Sequence, residues 1–93
     1  MNAWEARQAI VAIGQRCYER GYLVASDGNI SIRMNAGVIA ATPSGMCKGR
    51  LQPSDIVLLD AAGKQLEGSR PASSEILLHL DIYHHRPDVN AIV

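Results

Sequence analysis

Two adjacent serines and a glutamate, Ser73, Ser74 and Glu75, stand directly before an apolar stretch with the spacing of a helix. The backbone N–H groups in the first turn of a helix lack partners, and the positive end of the helix dipole favours anions. A phosphate held by the two hydroxyls and nearby amides would lie beside the Glu75 carboxylate, close enough for proton transfer. These residue types therefore predict a phosphate site with a base next to it.

The same three residues also have a purely structural interpretation. Serines commonly cap helices, which contributes roughly 0.5 to 2 kcal/mol, and a glutamate favours the positive end of the dipole. Upstream, Gly28-Asn29 and Ser44-Gly45 suit either plain turns or close backbone approach to a ligand with hydrogen-bond donors beside it. Local sequence leaves both interpretations open.

The histidines and loop cations have weaker functional patterns. His84 and His85 point about 100 degrees apart on a helix, and His79 to His84 is not the i, i+4 spacing of a helical metal site. Solvated or helix-end histidines are the better interpretation. Lys48 and Arg50 lie on a glycine-containing loop where they could meet an anion, although a solvated loop is the simpler expectation.

Composition narrows the function class. The 93 residues carry nine basic and nine acidic side chains, which disfavours a nucleic-acid binder or a polybasic membrane segment and favours a small metabolite as partner. Cys17 and Cys47 are far apart and lack metal-site spacing, so two reduced thiols are expected. There is no secretory leader pattern and no apolar run of the ~20 residues that a membrane helix needs. The expected location is the cytoplasm.

The apolar pattern predicts two helices and five strands. Asn2 and Glu5 form a capping box for a helix over residues 3–20, which Gly21 ends. A hairpin is expected over residues 29–42, with its turn at 35–37. The remaining predicted elements are strands at 56–60, 65–67 and 88–93, a helical turn at 53–55, and a helix over 74–85 that buries Ile76, Leu77, Leu80 and Tyr83.

Five segments in order are similar to the class II aldolase and adducin family, the zinc-dependent sugar-phosphate aldolases and their relatives. The resemblance covers almost the whole chain. The segments are residues 25–31, 41–46, 48–49, 71–75 and 86–89.

This resemblance implies an α/β (α+β) fold of three αβα layers with a central, mostly antiparallel sheet, of which residues 1–93 would be the N-terminal portion. It also implies a role for each matching site residue. Glu75 would be the catalytic acid/base and a zinc ligand, the other zinc ligands being histidines expected beyond Val93. The implied contacts to the substrate phosphate are Gly28, Asn29, Ser44, Gly45, Ser73 and Ser74.

The implied activity is a retro-aldol cleavage of the L-fuculose-1-phosphate type, giving dihydroxyacetone phosphate and an aldehyde. Glu75 favours an aldolase over the related pentulose-phosphate 4-epimerases, whose matching motif resembles Ser-Ser-Asp. Decarboxylases of sugar-acid phosphates share the glutamate and stay open, as does a non-catalytic adducin-like interaction module. The family resemblance further implies a homotetramer.

Overall fold

Helix α1 spans Ala3–Glu19 in the computed structural model, which describes residues 1–93. Its start is the expected capping box: the Asn2 side chain accepts from the Glu5 N–H at 2.8 Å, and the Glu5 carboxylate accepts from the Asn2 N–H at 3.0 Å. At its end, Gly21 adopts a φ of +76° and the N–H of Tyr22 donates to the Cys17 carbonyl. This is the Schellman arrangement, so both predicted helix signals are confirmed.

The sheet is antiparallel throughout, with the order β4-β3-β2-β1-β5. The predicted hairpin is its centre: Ser31 pairs with Ala41 and Arg33 pairs with Ile39. The strands are β1 Ser31–Arg33, β2 Ile39–Ala41, β3 Val57–Leu59, β4 Gln65–Glu67 and β5 Ala91–Ile92. All five predicted strands are present: β4 has the predicted bounds, and the other four are shorter than predicted.

The two helices cover opposite faces of this sheet. Successive side chains of a strand point to opposite faces, and Ala40 and Leu58 pack in the cluster that α1 buries with Ile10. Their strand neighbour Ile39 packs instead against Leu80 of α2, which spans Ile76–His85. The fold is therefore the expected three-layer αβα arrangement. Neither helix combines the length and hydropathy needed to cross a membrane.

Two expectations about α2 are wrong. The helix begins at Ile76, not Ser74, because Ser74 and Glu75 form the turn that precedes it. Leu77 does not face inward: it is 72% exposed, whereas Leu80 and Tyr83 are buried. At 3.6 residues per turn, Leu77 points about 100 degrees away from Ile76 and so leaves the face that meets the sheet.

A buried hydrogen-bond network joins α2 to β1. The Ser31 hydroxyl lies 2.7 Å from His79 Nδ1 and 2.8 Å from the Tyr83 hydroxyl. Burial lowers the pKa of His79, a shift that Glu75 opposes, and burial raises the pKa of Tyr83. The expectation of a solvated His79 is therefore wrong, because α2 turns this position toward the sheet. His84 and His85 are exposed at the helix end, as expected.

Arg33 holds the C-terminal end of α2. Its guanidinium donates to the carbonyls of Tyr83 at 2.7 Å and Arg86 at 2.9 Å, and also to that of Val89. It also lies over the Tyr83 ring, 4.7 Å from the centroid. Since the last carbonyls of a helix lack partners within it, one β1 side chain satisfies both this end and the connection toward β5.

Helix α1 approaches the loop at residues 48–50 closely, because two glycines leave room. A Cβ at Gly14 would lie 2.6 Å from the carbonyl oxygen of Lys48, and a Cβ at Gly49 would meet the ring of Tyr18. The backbone at Lys48 is thus packed directly against the helix.

We predict that Gly14→Ala destabilises the protein although alanine is the better helix former by roughly 1 kcal/mol. The added methyl would collide with a backbone carbonyl, which has little freedom to move. Urea unfolding should show a lower midpoint. Ala12→Gly, at an exposed position of the same helix, gives the size of the propensity effect alone. A more stable Gly14→Ala protein would contradict the close contact.

We also predict that His79 contributes a pH-dependent part of stability. Its folded pKa is lowered, so as pH falls through the ordinary value of 6.5 the unfolded chain takes up a proton that the folded chain resists. This contribution is full above about pH 6.5 and is lost as the pH falls toward the folded pKa. Melting temperatures between pH 5 and 8 should depend less on pH in His79→Gln. The exposed His84→Gln should retain the wild-type slope, and equal slopes in all three proteins would exclude the effect.

Candidate functional site

A polar cleft of about 320 Å³ collects the predicted site residues, and no hydrophobic side chain lines it. All seven of them are present, together with three that were not predicted to belong to the site. The lining residues are Ser26, Asp27, Gly28, Asn29, Ser44, Gly45, Lys48, Ser73, Ser74 and Glu75. The structure thus brings three segments, separated along the chain, to one place.

The first segment turns at Gly28, just before β1. Gly28 has a φ of +86°, and a Cβ there would lie 2.5 Å from the Leu23 side chain. A residue with a Cβ would be strained in this backbone conformation and would have to displace the Leu23 methyl, so glycine fits this position best. The N–H of Ile30 then donates to Thr42 Oγ1 at 3.2 Å, which ties this turn to the end of β2.

The second and third segments are held side by side by backbone hydrogen bonds. The N–H of Ser44 donates to the Pro71 carbonyl at 2.9 Å, and that of Ser73 donates to the Thr42 carbonyl at 3.5 Å. Gly45, with a φ of +73°, turns the chain after this pairing. The pairing brings Ser44 and Ser73 to the same cleft although they lie far apart in sequence.

The two serines differ: Ser73 makes the contact that the helix-capping interpretation predicts, and Ser74 does not. Ser73 Oγ accepts from the N–H of Glu75 at 3.3 Å, which is a local helix-start contact. Ser74 and Glu75 are exposed at the cleft, and the Glu75 side chain caps no backbone N–H of α2. Glu75 therefore lines the cleft, and its carboxylate is not used to cap the helix.

Lys48 is one of the three cleft residues that the sequence analysis did not assign to the site. It is 2% exposed, and its Nζ donates to the carbonyls of Ser26 at 2.9 Å and Met46 at 3.0 Å. Burial lowers its pKa, while Cys47 and Asp27 oppose that shift. The expected solvated loop is wrong for Lys48, although Arg50 is exposed. The adjacent Gly49 was the available signal, since glycine permits the close packing that buries its neighbour.

Asn29 carries a buried polar atom without a partner. Its Oδ1 accepts no hydrogen bond. Such an atom costs roughly 1 to 3 kcal/mol unless something satisfies it. Asn29 also borders a small crevice that Thr42, Ser73 and His79 line. Its side chain is therefore not fully used by the fold.

The chain's own side chains do not form a complete metal centre. No three of its His, Cys, Asp or Glu residues come together as a metal site. His79 is engaged through Nδ1 with Ser31, and His84 and His85 lie at the far end of α2 from Glu75. Glu75 is the predicted ligand that these residues supply, and alone it does not fit a tetrahedral zinc site.

Comparison of the sequence with known proteins identifies its family. The family model of the class II aldolase and adducin N-terminal domain matches residues 8–93. The methylthioribulose-1-phosphate dehydratase of Methylococcus capsulatus is 45% identical over 97% of this chain and 44% of its own length. The 5-deoxy-D-ribulose 1-phosphate aldolase of Bacillus thuringiensis is 40% identical over 94% of this chain and 41% of its own length. The 3-oxo-tetronate 4-phosphate decarboxylase of Pectobacterium atrosepticum is 36% identical, with 95% and 40% covered.

Comparison with solved structures points to the same family. The YgbL protein of Klebsiella pneumoniae superposes with a TM-score of 0.91 at 34% identity, over 98% of this chain and 44% of that one. An L-fuculose 1-phosphate aldolase superposes with a TM-score of 0.90 at 33% identity, over 98% and 43%. This chain spans less than half the length of the relatives it matches. Since the family model covers nearly all of the sequence and the fold superposes closely, the chain belongs to the class II aldolase and adducin N-terminal domain family.

Proposed function

We propose that these residues form the phosphate-binding and proton-transfer part of a metal-dependent sugar-phosphate aldolase. The observation that supports this proposal is the cleft, in which six predicted phosphate ligands and Glu75 meet without any hydrophobic side chain. The relatives named above are lyase-type enzymes whose names each include a phosphorylated substrate. A small phosphorylated sugar is the proposed partner.

The phosphate would be bound by hydroxyl, amide and backbone donors. Ser44, Ser73 and Ser74 supply hydroxyls, Asn29 supplies a side-chain amide, and the turns at Gly28 and Gly45 expose backbone close to the ligand. Fixing the phosphate converts binding energy at the remote end of the substrate into orientation of its reacting carbon. The cleft would therefore position the substrate relative to Glu75.

Glu75 would carry the proton. It stands at the cleft beside the serines, and its carboxylate is not occupied in capping α2. Retro-aldol cleavage breaks a carbon–carbon bond and leaves an enediolate, whose carbon must then be protonated. A carboxylate within reach of the carbon next to the carbonyl can deliver or remove that proton. Glu75 is the acid/base in this proposal.

A zinc ion, when bound, would supply Lewis-acid stabilisation of the developing oxyanion. Of the present residues, Glu75 is the proposed ligand, and histidines outside residues 1–93 would complete the site. The homotetramer remains a prediction of the family resemblance, and the cytoplasmic location remains a prediction of the sequence pattern.

Aldol cleavage of the L-fuculose-1-phosphate type is supported by the 40% identical deoxyribulose-phosphate aldolase and by the superposed fuculose-phosphate aldolase. Dehydration of a phosphorylated ketose is the second candidate, favoured by the 45% identical methylthioribulose-phosphate dehydratase. Decarboxylation is represented by the 36% identical relative. Each reaction needs a held phosphate and a proton carrier, so the cleft is compatible with all three.

The full-length protein should therefore be assayed on 5-deoxy-D-ribulose 1-phosphate, L-fuculose 1-phosphate and methylthioribulose 1-phosphate. Release of dihydroxyacetone phosphate from either of the first two would support the aldolase. Loss of water from methylthioribulose 1-phosphate, monitored by proton NMR, would identify the dehydratase. Absence of turnover on these three sugars and on 3-oxo-tetronate 4-phosphate, with and without added zinc, would favour the adducin-like module.

We predict that Glu75→Gln in the full-length enzyme lowers kcat on the order of 10²-fold or more with little change in KM, because the amide keeps the shape but removes the base. Steady-state kinetics measure both constants. Asp81→Asn, which changes an exposed carboxylate on the helix that follows Glu75, is the matched control and should be near wild type. Near-normal turnover in Glu75→Gln would exclude Glu75 as the proton carrier.

We further predict that Ser73→Ala and Ser74→Ala weaken binding of inorganic phosphate, each losing a hydroxyl donor to a charged acceptor worth roughly 1.5 to 3 kcal/mol. Ser74→Ala tests binding more directly, since Ser73 Oγ also accepts from the Glu75 N–H. Calorimetric titration with phosphate should show the loss, with the exposed Ser69→Ala as control. Unchanged affinity in both variants would leave the serines as helix-start residues only.

A further inference from the structure

We propose that Lys48 is the cationic anchor of the cleft, a binding and positioning residue that contacts the phosphate dianion and holds the two glycine turns at the spacing this anion needs. This inference rests on the proposed function. It adds a ligand that neither the sequence patterns nor the family resemblance assigned.

The first argument is the geometry of the ammonium group. Lys48 lines the cleft yet is 2% exposed, and its Nζ is hydrogen-bonded to the carbonyl of Ser26, which lines the cleft as well. Two of its three N–H groups are used by the carbonyls of Ser26 and Met46. An ammonium has a third donor, which remains available for a ligand in the cleft. The side chain therefore connects one turn to the other and still has one donor to offer.

The second argument is charge. The cleft contains the carboxylates of Asp27 and Glu75, and Lys48 is the cation among its lining residues. The three ion pairs of the chain join other residues, so no carboxylate lies within ion-pair distance of the buried ammonium, although Asp27 favours its charged form. Burying an unpaired charge is costly, and an anion in the cleft would remove that cost. Without Lys48, a phosphate dianion would meet a cleft whose only charged side chains are acidic.

The third argument is how firmly Lys48 is held. Its carbonyl oxygen occupies the space left by Gly14, and the next residue, Gly49, packs against the Tyr18 ring. Helix α1 contributes no residue to the cleft lining but fixes the backbone from which Lys48 extends. A side chain held in this way loses little further entropy when it binds a ligand. Lys48 is thus pre-organised for an anion.

The test compares Lys48→Met and Lys48→Arg with Arg50→Met in the full-length protein. Arg50→Met removes the same charge from an exposed position of the same loop. Calorimetric titration with inorganic phosphate should show affinity weakened by about tenfold or more in Lys48→Met, the loss of a charge-assisted hydrogen bond. Arg50→Met should stay within about twofold of wild type, as a distant screened charge does. Lys48→Arg should retain part of the affinity, because it keeps the charge but not the shape.

A purely structural role predicts a different result. It would lower the melting temperature of Lys48→Met and weaken phosphate and unphosphorylated sugar alike, whereas an anchor weakens the phosphorylated ligand selectively. Equal phosphate affinity in Lys48→Met and wild type, or equal losses for both ligands, would overturn the inference and leave the proposed function standing. Failure of the wild-type protein to bind phosphate would overturn the proposed function and this inference together.

A measurement on the wild-type protein covers the case in which Lys48→Met does not fold. The lysine ¹⁵Nζ resonance, assigned with Lys48→Arg, should shift on titration with inorganic phosphate, while that of the exposed Lys64 should not. An unmoved Lys48 resonance at saturating phosphate would show that the ammonium does not contact the anion.

Discussion

Backbone pairing between the end of β2 and the segment that leads into α2 is the constraint on which the cleft depends. The bonds from Ser44 N–H to the Pro71 carbonyl and from Ser73 N–H to the Thr42 carbonyl bring two distant segments into register. Pro43 and Ala72 form an isolated bridge at the same place. Without this pairing, the local turns alone would not bring the serine hydroxyls to one ligand.

The direction of α2 is set by contacts with β1, away from that pairing. The buried Ser31 hydroxyl is hydrogen-bonded to His79 and Tyr83, and the Arg33 guanidinium donates hydrogen bonds to the carbonyls at the end of the helix. Two residues on the same face of one short strand, Ser31 and Arg33, therefore determine where the helix lies on the sheet. Because Glu75 stands at the start of this helix, its placement at the cleft follows from contacts made one to three turns away.

Helix α1 acts on the cleft from the other face of the sheet. Its close approach at Gly14 and Tyr18 fixes the loop that carries Lys48 and Gly49. The proposed anion site thus combines a turn tied to the end of β2 through Thr42, a loop held by α1 and the start of a helix held by β1. Rigid support of this kind allows polar groups to be positioned before a ligand arrives, which lowers the entropic cost of binding.

The sequence by itself determined the elements whose signals are local: the Asn2–Glu5 capping box, the hairpin about residues 35–37, and the turns at Gly28 and Gly45. It also indicated the seven residues that meet at the cleft, through motifs of a known family. Only the tertiary structure decided the burial of Lys48 and His79 and the exposure of Leu77. Those outcomes depend on which distant segments pack against each side chain, and short-range spacing carries no information about that packing.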